Sequence, residues 1–237
     1  MLKEAIEKIE AMTGPEIMQI DGHTYAIGKD DIKEIRPEID EPTALKLNSL
    51  DAAVQMIRAN DGQFPHLYVS VSGHRTVHVF ADLEPENRFT RKHLYLVEAV
   101  DVPGWEPKIE MGFDEATVAL LTRFQDGGDR EYCIKLLSQI TTGAHVTYTD
   151  NGIASTMVMK KGASLSENVT IKPIVKLRPY RTFHEVEQPE GLFLIRIRER
   201  GIAFIEADGG MWKLTARQTI KAYLQQELKD CSVTVML

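Results

Sequence analysis

Apolar and polar residues alternate along most of the second half of the chain, a pattern typical of strands that bury one face. The alternating stretches are 144–149, 153–160, 168–177, 192–199 and 202–207. Two of the gaps between them, Asp150-Asn151-Gly152 and Arg200-Gly201, carry residues that favour hairpin turns. Because strands joined by short turns usually pair antiparallel, the pattern predicts an antiparallel sheet of five or more strands.

Helical spacing of apolar residues also occurs in this half. Two predicted helices within 114–140 are separated by Gly127-Gly128, and a third covers 215–229, where Thr215 and Gln218 match a capping box. We expect these helices to pack on one face of the sheet. The residues predicted to be buried are Val175, Leu177, Phe193, Ile195, Ile197, Phe204, Ile220 and Leu224. The stretch 232–237 is expected to close the same sheet, and the predicted fold class is α+β.

The first half of the chain predicts a smaller α+β unit. Its elements are helices over 2–9 and 47–57, a hairpin around Asp21-Gly22, a surface connection over 28–46, and strands at 66–71, 76–80 and 94–100. A stretch with two prolines, Pro103 to Pro107, follows and indicates a soft boundary near 110. We therefore expect an acidic amino-terminal unit over 1–110 and a sheet domain over 111–237, with one continuous domain as the alternative.

Composition and charge narrow the function classes. The chain has 237 residues, 43% of them hydrophobic and 27% charged, which is ordinary for a folded globular protein. The net charge of −7 disfavours coating of duplex DNA, which usually needs a large basic excess. No apolar run approaches the roughly 20 residues of a membrane span, and the amino terminus alternates charged and apolar residues. We therefore expect neither a membrane segment nor a signal peptide.

Metal, cofactor and catalytic signatures are not found in the sequence. Cys133 and Cys231 have no partner at metal-ligand spacing and are expected to be reduced thiols. His74 and His78, four residues apart on a predicted strand, would lie about 13 Å apart and cannot share an ion. Nucleotide-binding glycine motifs and nucleophile motifs are likewise missing. No metal, no cofactor and no catalytic residue is therefore predicted.

The densest mixture of charged and aromatic residues lies in 178–189 and the strand that follows it. Alternation places Lys176 and Arg178 on one strand face, and Arg196 and Arg198 on one face of the next. One interpretation is a solvated face and a structural latch, in which Arg181 pairs within its own loop. The other is an anion site, where arginines hold phosphate and an aromatic ring stacks on a base. The candidate ligand-binding residues are Lys176, Arg178, Tyr180, Arg181, Phe183, His184, Arg196 and Arg198.

This segment also carries a resemblance to a known family. Pro179-Tyr-Arg-Thr-Phe-His-Glu-Val-Glu-Gln-Pro189, followed by Phe193-Leu-Ile-Arg196, resembles the signature of temperate-phage and prophage proteins of the YfdQ type. The match is specific over about twenty residues, and the layout from Gly104 onward is similar. The resemblance implies a phage origin and a role in the host cytoplasm during infection. It brings no assigned reaction and no catalytic residues.

Three functions follow as hypotheses. The first is a non-enzymatic phage accessory protein that binds a small phosphate-bearing ligand or a host protein, with sequestration of a nucleotide-derived immune signal as a concrete form. The second is a single-stranded nucleic-acid binder in phage replication or recombination, which the net charge disfavours. The third is a nuclease or phosphodiesterase, for which the sequence offers no metal-binding constellation. An open sheet edge would in addition favour a homo-oligomer.

Overall fold

The computed structural model describes residues 3–4, 16–28, 31–35, 43–60, 62–83, 91–105, 110–142, 145–150, 155–161, 165–198 and 201–237. The chain forms two compact units, Met1–Pro42 and Thr43–Leu237. The position near 110, where the sequence indicates a boundary, lies inside the second unit. Most of the helix predicted over 2–9 lies outside the described residues.

The first unit contains a three-stranded antiparallel sheet. Its strands β1 (Glu16–Ile20), β2 (His23–Ile27) and β3 (Ile32–Ile35) pair in the order β1-β2-β3. The turn between the first two strands has Asp21 at φ 53° and Gly22 at φ 84°. Two consecutive left-handed residues are what a two-residue hairpin requires, so local sequence is sufficient to form it. The surface connection predicted over 28–46 was wrong at β3, which is a strand.

The second unit contains four described helices and eleven described strands. In chain order these are β4 (Leu45–Leu47), α1 (Leu50–Arg58), β5 (Leu67–Ser70), β6 (Thr76–Leu83), β7 (Arg91–Glu98), α2 (Phe113–Arg123), α3 (Arg130–Thr142), β8 (His145–Asp150), β9 (Ser155–Lys161), β10 (Leu165–Ile171), β11 (Ile174–Leu177), β12 (Gly191–Arg198), β13 (Gly201–Glu206), α4 (Trp212–Glu227) and β14 (Val233–Met236). The protein is thus a mixed α+β fold. Among the described residues no helix is both long and apolar enough to cross a membrane.

The largest sheet has five strands in the order β14-β5-β6-β7-β4 and is mixed, not antiparallel. The strands β5, β6 and β7 pair antiparallel, whereas β14 joins β5 and β4 joins β7 in parallel. The last strand therefore closes a sheet of the first half of the chain, and the prediction that it closes the sheet of residues 144–207 was wrong. Parallel neighbours need a long crossover, which local sequence patterns do not reveal.

The region predicted as five strands between 144 and 207 contains six, which form two sheets of three strands each. Both sheets are antiparallel, one in the order β10-β9-β8 and the other β11-β12-β13. The stretch 168–177, predicted as one strand, is divided at Lys172 and Pro173. Proline has no N–H to donate to a ladder, and the Pro173 carbonyl instead accepts a 2.9 Å hydrogen bond from the Ile195 N–H. The single sheet predicted here was therefore wrong.

Two hydrophobic cores lie within the second unit. One is built by α2, α3 and the β11-β12-β13 sheet, and the other by α1, α4 and the five-stranded sheet. The predicted helices hence pack on two different sheets, which corrects the expectation of a single helical layer. All eight residues predicted to be buried are buried, with Ile197 the most exposed at 8%. In the first core, burial and then Asp129 raise the pKa of the Cys133 thiol to about 12, which makes this thiol unreactive.

The last helix begins at Trp212, three residues before the start that Thr215 indicated. Thr215 therefore lies inside the first turn and does not cap the helix. The buried face of α4 includes Ala216, Ile220 and Leu224, and the last two belong to the core formed with the five-stranded sheet.

We expect Ile220→Ala to lower the free energy of unfolding by about 2–5 kcal/mol, because the side chain is fully buried in the second core. Chemical denaturation measures the change. Val118→Ala is the control, since Val118 on α2 is 58% exposed and its truncation should change stability by less than about 0.5 kcal/mol. Equal effects of the two substitutions would contradict this packing of α4.

Candidate functional site

The 178–189 segment joins β11 to β12 and contributes to the second core. Pro179 forms an isolated antiparallel bridge with Phe124 at the end of α2, supported by a 2.9 Å bond from the Tyr180 N–H to the Arg123 carbonyl. Further along, Phe183 and Val186 are buried among the residues of the second core. The segment therefore connects the two cores, and the candidate ligand residue Phe183 is a core residue.

A buried glutamine fixes the shape of this segment. Gln188 is only 2% exposed, and its Oε1 accepts hydrogen bonds from the N–H groups of Arg181 and Thr182 at 2.9 and 3.2 Å. Its Nε2 donates to the carbonyls of Phe183 and Val186 at 2.9 and 3.3 Å. One side chain thus satisfies four buried backbone groups, each of which would be costly unpaired. Sequence analysis missed this role, because Gln188 lies in a segment rich in charged residues, where one more polar side chain gives no signal of burial.

Arg181 is buried and acts as a latch, but not within its own loop. The residue is 5% exposed, its Nη1 forms an ion pair with Glu206, and its guanidinium lies 3.9 Å from the centre of the Trp212 ring. A Cβ at Gly191 would collide with Nη2, so the glycine makes room for the guanidinium. Burial lowers the pKa of Arg181, while the charge of Glu206 raises it. The latch interpretation predicted pairing with Glu185, Glu187 or loop carbonyls, and Glu206 is the partner instead.

Glu185 has a structural role at the start of α1. Its Oε1 accepts a 2.6 Å hydrogen bond from the Leu50 N–H, and the Ser49 hydroxyl accepts one from the Ala52 N–H at 3.1 Å. These two acceptors satisfy donors that a helix leaves unpaired at its first turn. A carboxylate at this position also interacts favourably with the helix dipole.

A cleft of about 270 Å³ lies beside the exposed candidate His184, lined by Asn48, Ser49, Ala99, Val100, Asp101, Phe183, His184 and Glu185. The imidazole Nε2 is 3.5 Å from the Asp101 carbonyl, and its ring lies 5.7 Å from that of Tyr180. Because two carboxylates line the cleft, it is unfavourable for a phosphate group.

The other candidate cations are engaged by carboxylates. Arg178 pairs with Glu187 and lies 3.8 Å from Glu190, which also accepts Lys176 at 3.3 Å. The candidates Lys176 and Arg178 thus lie close together, but the carboxylate between them is Glu190 of the protein itself. Surface pairs of this kind contribute little to stability, yet they neutralise the predicted basic stripe.

Arg196 and Arg198 lie on β12, away from the rest of the candidates. Arg198 pairs with Glu110 at 2.8 Å, and Arg196 is partly buried with its Nη1 3.5 Å from the Ile195 carbonyl. Gly191, which contacts Arg181, begins this strand, so Arg198 lies roughly 23 Å away along it. The structure therefore separates the two arginines of β12 from Arg181.

A glycine turn precedes α4, and the N–H groups of Met211 and Lys213 after it donate to the carbonyls of Asp208 and Gly210 at 3.2 and 3.1 Å. Gly209 and Gly210 have left-handed φ values of 64° and 81°, and no atom lies within 4 Å of the position that a Cβ would take at either residue. Met211 at the cap position makes no side-chain capping bond. The Gly210 N–H bonds Oδ1 of Asp208 at 3.0 Å. Successive left-handed glycines before a helix let a ligand approach the backbone closely.

Cationic and N–H donor groups surround this helix end: His74, Arg75, Arg181, Trp212 and Lys213, which we call the helix-end cluster. The His74 ring packs edge-on against Trp212 at 4.8 Å, and Lys213 Nζ lies 5.7 Å from the Trp212 ring. The pKa of His74 is lowered first by burial and then by Arg75, Lys213 and Arg181. The cluster is therefore electropositive, offset in part by Glu206 and Asp208.

Several hydrogen-bond donors in the helix-end cluster have no acceptor among the described residues. Trp212 Nε1 and the Arg181 atoms Nε and Nη2 are buried and have no hydrogen-bond partner among the described residues. Both residues are more than nine-tenths buried. Buried donors of this kind are normally satisfied, so each calls for an explanation. Sequence analysis included Arg181 but missed His74, Trp212 and Lys213, because Arg181 meets Trp212 across about thirty residues and His74 meets it across more than a hundred.

Comparison with protein-family models, curated proteins and solved structures gave no match to this chain. The phage resemblance of the 178–189 segment thus stays a prediction. Within the described residues, no group of three or more His, Cys, Asp or Glu side chains is arranged to hold a metal ion.

We expect Arg181→Ala to lower the free energy of unfolding by about 3–5 kcal/mol, because it leaves the Glu206 carboxylate without its buried partner. Thermal and chemical denaturation measure the loss. Arg58→Ala, which removes an exposed 3.0 Å pair with Glu227, should cost about 1 kcal/mol or less. A stable Arg181→Ala protein would contradict the latch.

The lowered pKa of His74 predicts a pH dependence of stability. Its pKa is below the ordinary value of 6.5 in the folded protein, so the unfolded chain binds this proton more readily. The stabilising contribution is complete above about pH 6.5 and is lost as the pH falls below it. We expect His74→Gln to lose less stability than the wild type between about pH 7.5 and pH 5, measured by urea denaturation at each pH. Equal losses of stability in the two proteins over this pH range would contradict the prediction.

Proposed function

We propose that this protein is a non-enzymatic phage accessory protein that binds the phosphate group of a small ligand at the amino end of α4. The observation that carries the proposal is the open Gly209-Gly210 turn beside the helix-end cluster with its unused buried donors. A helix amino end carries a partial positive charge that favours anions, and here this charge adds to that of the exposed Lys213, although the N–H groups of Gly210 and Met211 already have acceptors within the protein.

The charges around the turn favour a phosphate of low total charge. Lys213 is exposed beside the turn, and Arg75 and Arg181 act on His74 from the same region. Glu206 is already paired with Arg181, and Asp208 Oδ1 already accepts the Gly210 N–H. Three permanent cations therefore face two engaged carboxylates, which leaves a net positive charge for the ligand.

The class of ligand comes from the phage resemblance together with this phosphate site. A nucleotide-derived signal of the host, sequestered without being altered, fits both. The Trp212 ring is buried and covered by Arg181, so a base would not stack on it. Recognition at this site would therefore be dominated by phosphate, with the remainder of the ligand held at the surface.

Lys213→Ala tests the site. We expect it to weaken binding of inorganic phosphate and nucleotides roughly ten- to hundredfold, because one charge-assisted hydrogen bond is lost. Isothermal titration calorimetry with a panel of phosphate, mononucleotides and cyclic nucleotides measures the change. Lys229→Ala, at the other end of the same helix, is the control and should bind as the wild type does. Failure of the wild type to bind any member of the panel would overturn the proposal.

The protein–ligand complexes formed in this titration can also be used to distinguish binding from catalysis. Heating the loaded protein should release the ligand unchanged, as identified by mass spectrometry. Release of a hydrolysed ligand would instead support the nuclease or phosphodiesterase hypothesis.

A further inference from the structure

The outer face of the five-stranded sheet is chemically unlike the rest of the surface. The inner face carries small aliphatic residues such as Val69, Val77 and Val79, which are fully buried under α1 and α4. Since side chains alternate along a strand, the intervening residues point to the opposite face. The two helices of the second unit that share a core with this sheet, α1 and α4, lie on its inner face.

Rings occupy neighbouring positions across three strands of this face. Tyr68 on β5 lies opposite Phe80 on β6, and Phe80 lies opposite His93 on β7. In the adjacent row His78 is flanked by Ser70 and Leu96, and Leu96 by Lys46. A β-bulge between Val79 and Phe80 shifts the register, so His93 rather than Leu94 comes to face outward. All these residues except Lys46 are partly buried, and Lys46 is exposed.

The Phe80 ring is stacked on two neighbouring imidazoles, which are themselves tilted by 38° to each other. The Phe80 ring lies 4.8 Å from that of His93 with an interplanar angle of 26°, and 6.0 Å from that of His78 with an angle of 15°. The two imidazoles also meet edge to edge, with 3.1 Å between His78 Nδ1 and His93 Nε2. A stack of planar rings is extended favourably by another planar ring, and nucleobases of every type have such a face.

The hydrogen bonds of the histidine pair define which nitrogens are available. His93 Nε2 lies 3.1 Å from both His78 Nδ1 and the Tyr95 carbonyl, which can only accept. The proton is thus best placed on His93 Nε2. With this tautomer each ring has one further nitrogen: Nε2–H of His78 as a donor and Nδ1 of His93 as an acceptor. Burial first and His93 second lower the pKa of His78, which favours the neutral form of His78.

Charge on this face is balanced rather than strongly basic. The Arg91 guanidinium lies 4.3 Å from the centre of the Tyr68 ring, and Lys46 extends the row of His78. Asp82 and Glu98 lie on the same strands near the margins of the ring cluster, and Asp82 Oδ1 accepts the Leu83 N–H. Two permanent cations can neutralise about two phosphates, which is too few for binding driven mainly by the backbone of a duplex.

We propose that this outer face, formed by Tyr68, His78, Phe80, Arg91 and His93, binds single-stranded nucleic acid by stacking its unpaired bases. The rings supply the stacking surface, the histidine pair supplies a donor and an acceptor for base edges, and Arg91 and Lys46 contact the backbone. Duplex DNA or RNA would bind less well, because its base faces are covered by stacking and its backbone needs more than two cations for tight binding. This second site does not depend on the phosphate site at α4, because the two share no residue.

The experiment measures binding of a labelled single strand of about 12 nucleotides by fluorescence anisotropy. We expect Tyr68→Leu/Phe80→Leu to weaken binding about five- to 150-fold for each base that loses its stacking partner. The matched control, Tyr68→Phe/Phe80→Tyr, keeps both rings and should bind as the wild type does. Circular dichroism and thermal melting establish that both variants are folded. Lys213→Ala should leave this binding unchanged, which distinguishes the two sites.

Salt dependence tests the role of Arg91. The logarithm of affinity should fall linearly with the logarithm of salt concentration, with a slope of about −0.7 for each neutralised phosphate. Because Arg91→Gln removes one cation, it should make this slope shallower by about 0.7. Arg58→Gln, whose arginine pairs with Glu227, should leave the slope unchanged.

Three results would overturn the proposal. The first is no binding of single strands by the wild type at low salt, and the second is duplex binding as tight as that of single strands. The third is self-association, seen by analytical ultracentrifugation, that the leucine variant abolishes, because the face would then be covered by a second copy of the chain.

Discussion

The buried contact between Arg181, Glu206 and Trp212 holds the second unit together. Arg181 lies on the segment between β11 and β12, Glu206 ends β13, and Trp212 begins α4. Together they join the antiparallel sheet of one core to the helix that covers the other. Taking a guanidinium out of water is costly, and the carboxylate, the indole face and the space left by Gly191 offset that cost.

This constraint explains why most of the predicted basic surface is not available to a ligand. Arg181 is committed to the latch, and Arg178, Lys176 and Arg198 are balanced by Glu187, Glu190 and Glu110. The carboxylates of the 178–189 segment thus serve the fold, Glu185 by capping α1 and Glu187 by pairing. The side chains still available to a ligand lie at the start of α4 and on the outer face of the five-stranded sheet.

Both proposed sites follow from how the second core is built. Because α1 and α4 cover only one face of the five-stranded sheet, its other face keeps its rings accessible. The contacts of Trp212 with Arg181 and His74 place the start of α4, with Lys213, beside these two residues. The two proposed sites together would suit a protein that handles nucleotides or single-stranded nucleic acid.

The sequence by itself determined the local features: the Asp21-Gly22 hairpin, the antiparallel pairing of β12 with its neighbours, and the eight buried core positions. Each depends on residues close in the chain, through turn geometry, the two-residue period of a strand or the 3.6-residue period of a helix. Only the tertiary structure decided the partners. The pairing of β14 with β5, of Arg181 with Glu206 and of His78 with His93 depends on how the chain folds back on itself, and any strand edge or carboxylate of suitable chemistry could have served. Packing of the two cores selects among them, and no local pattern encodes that choice.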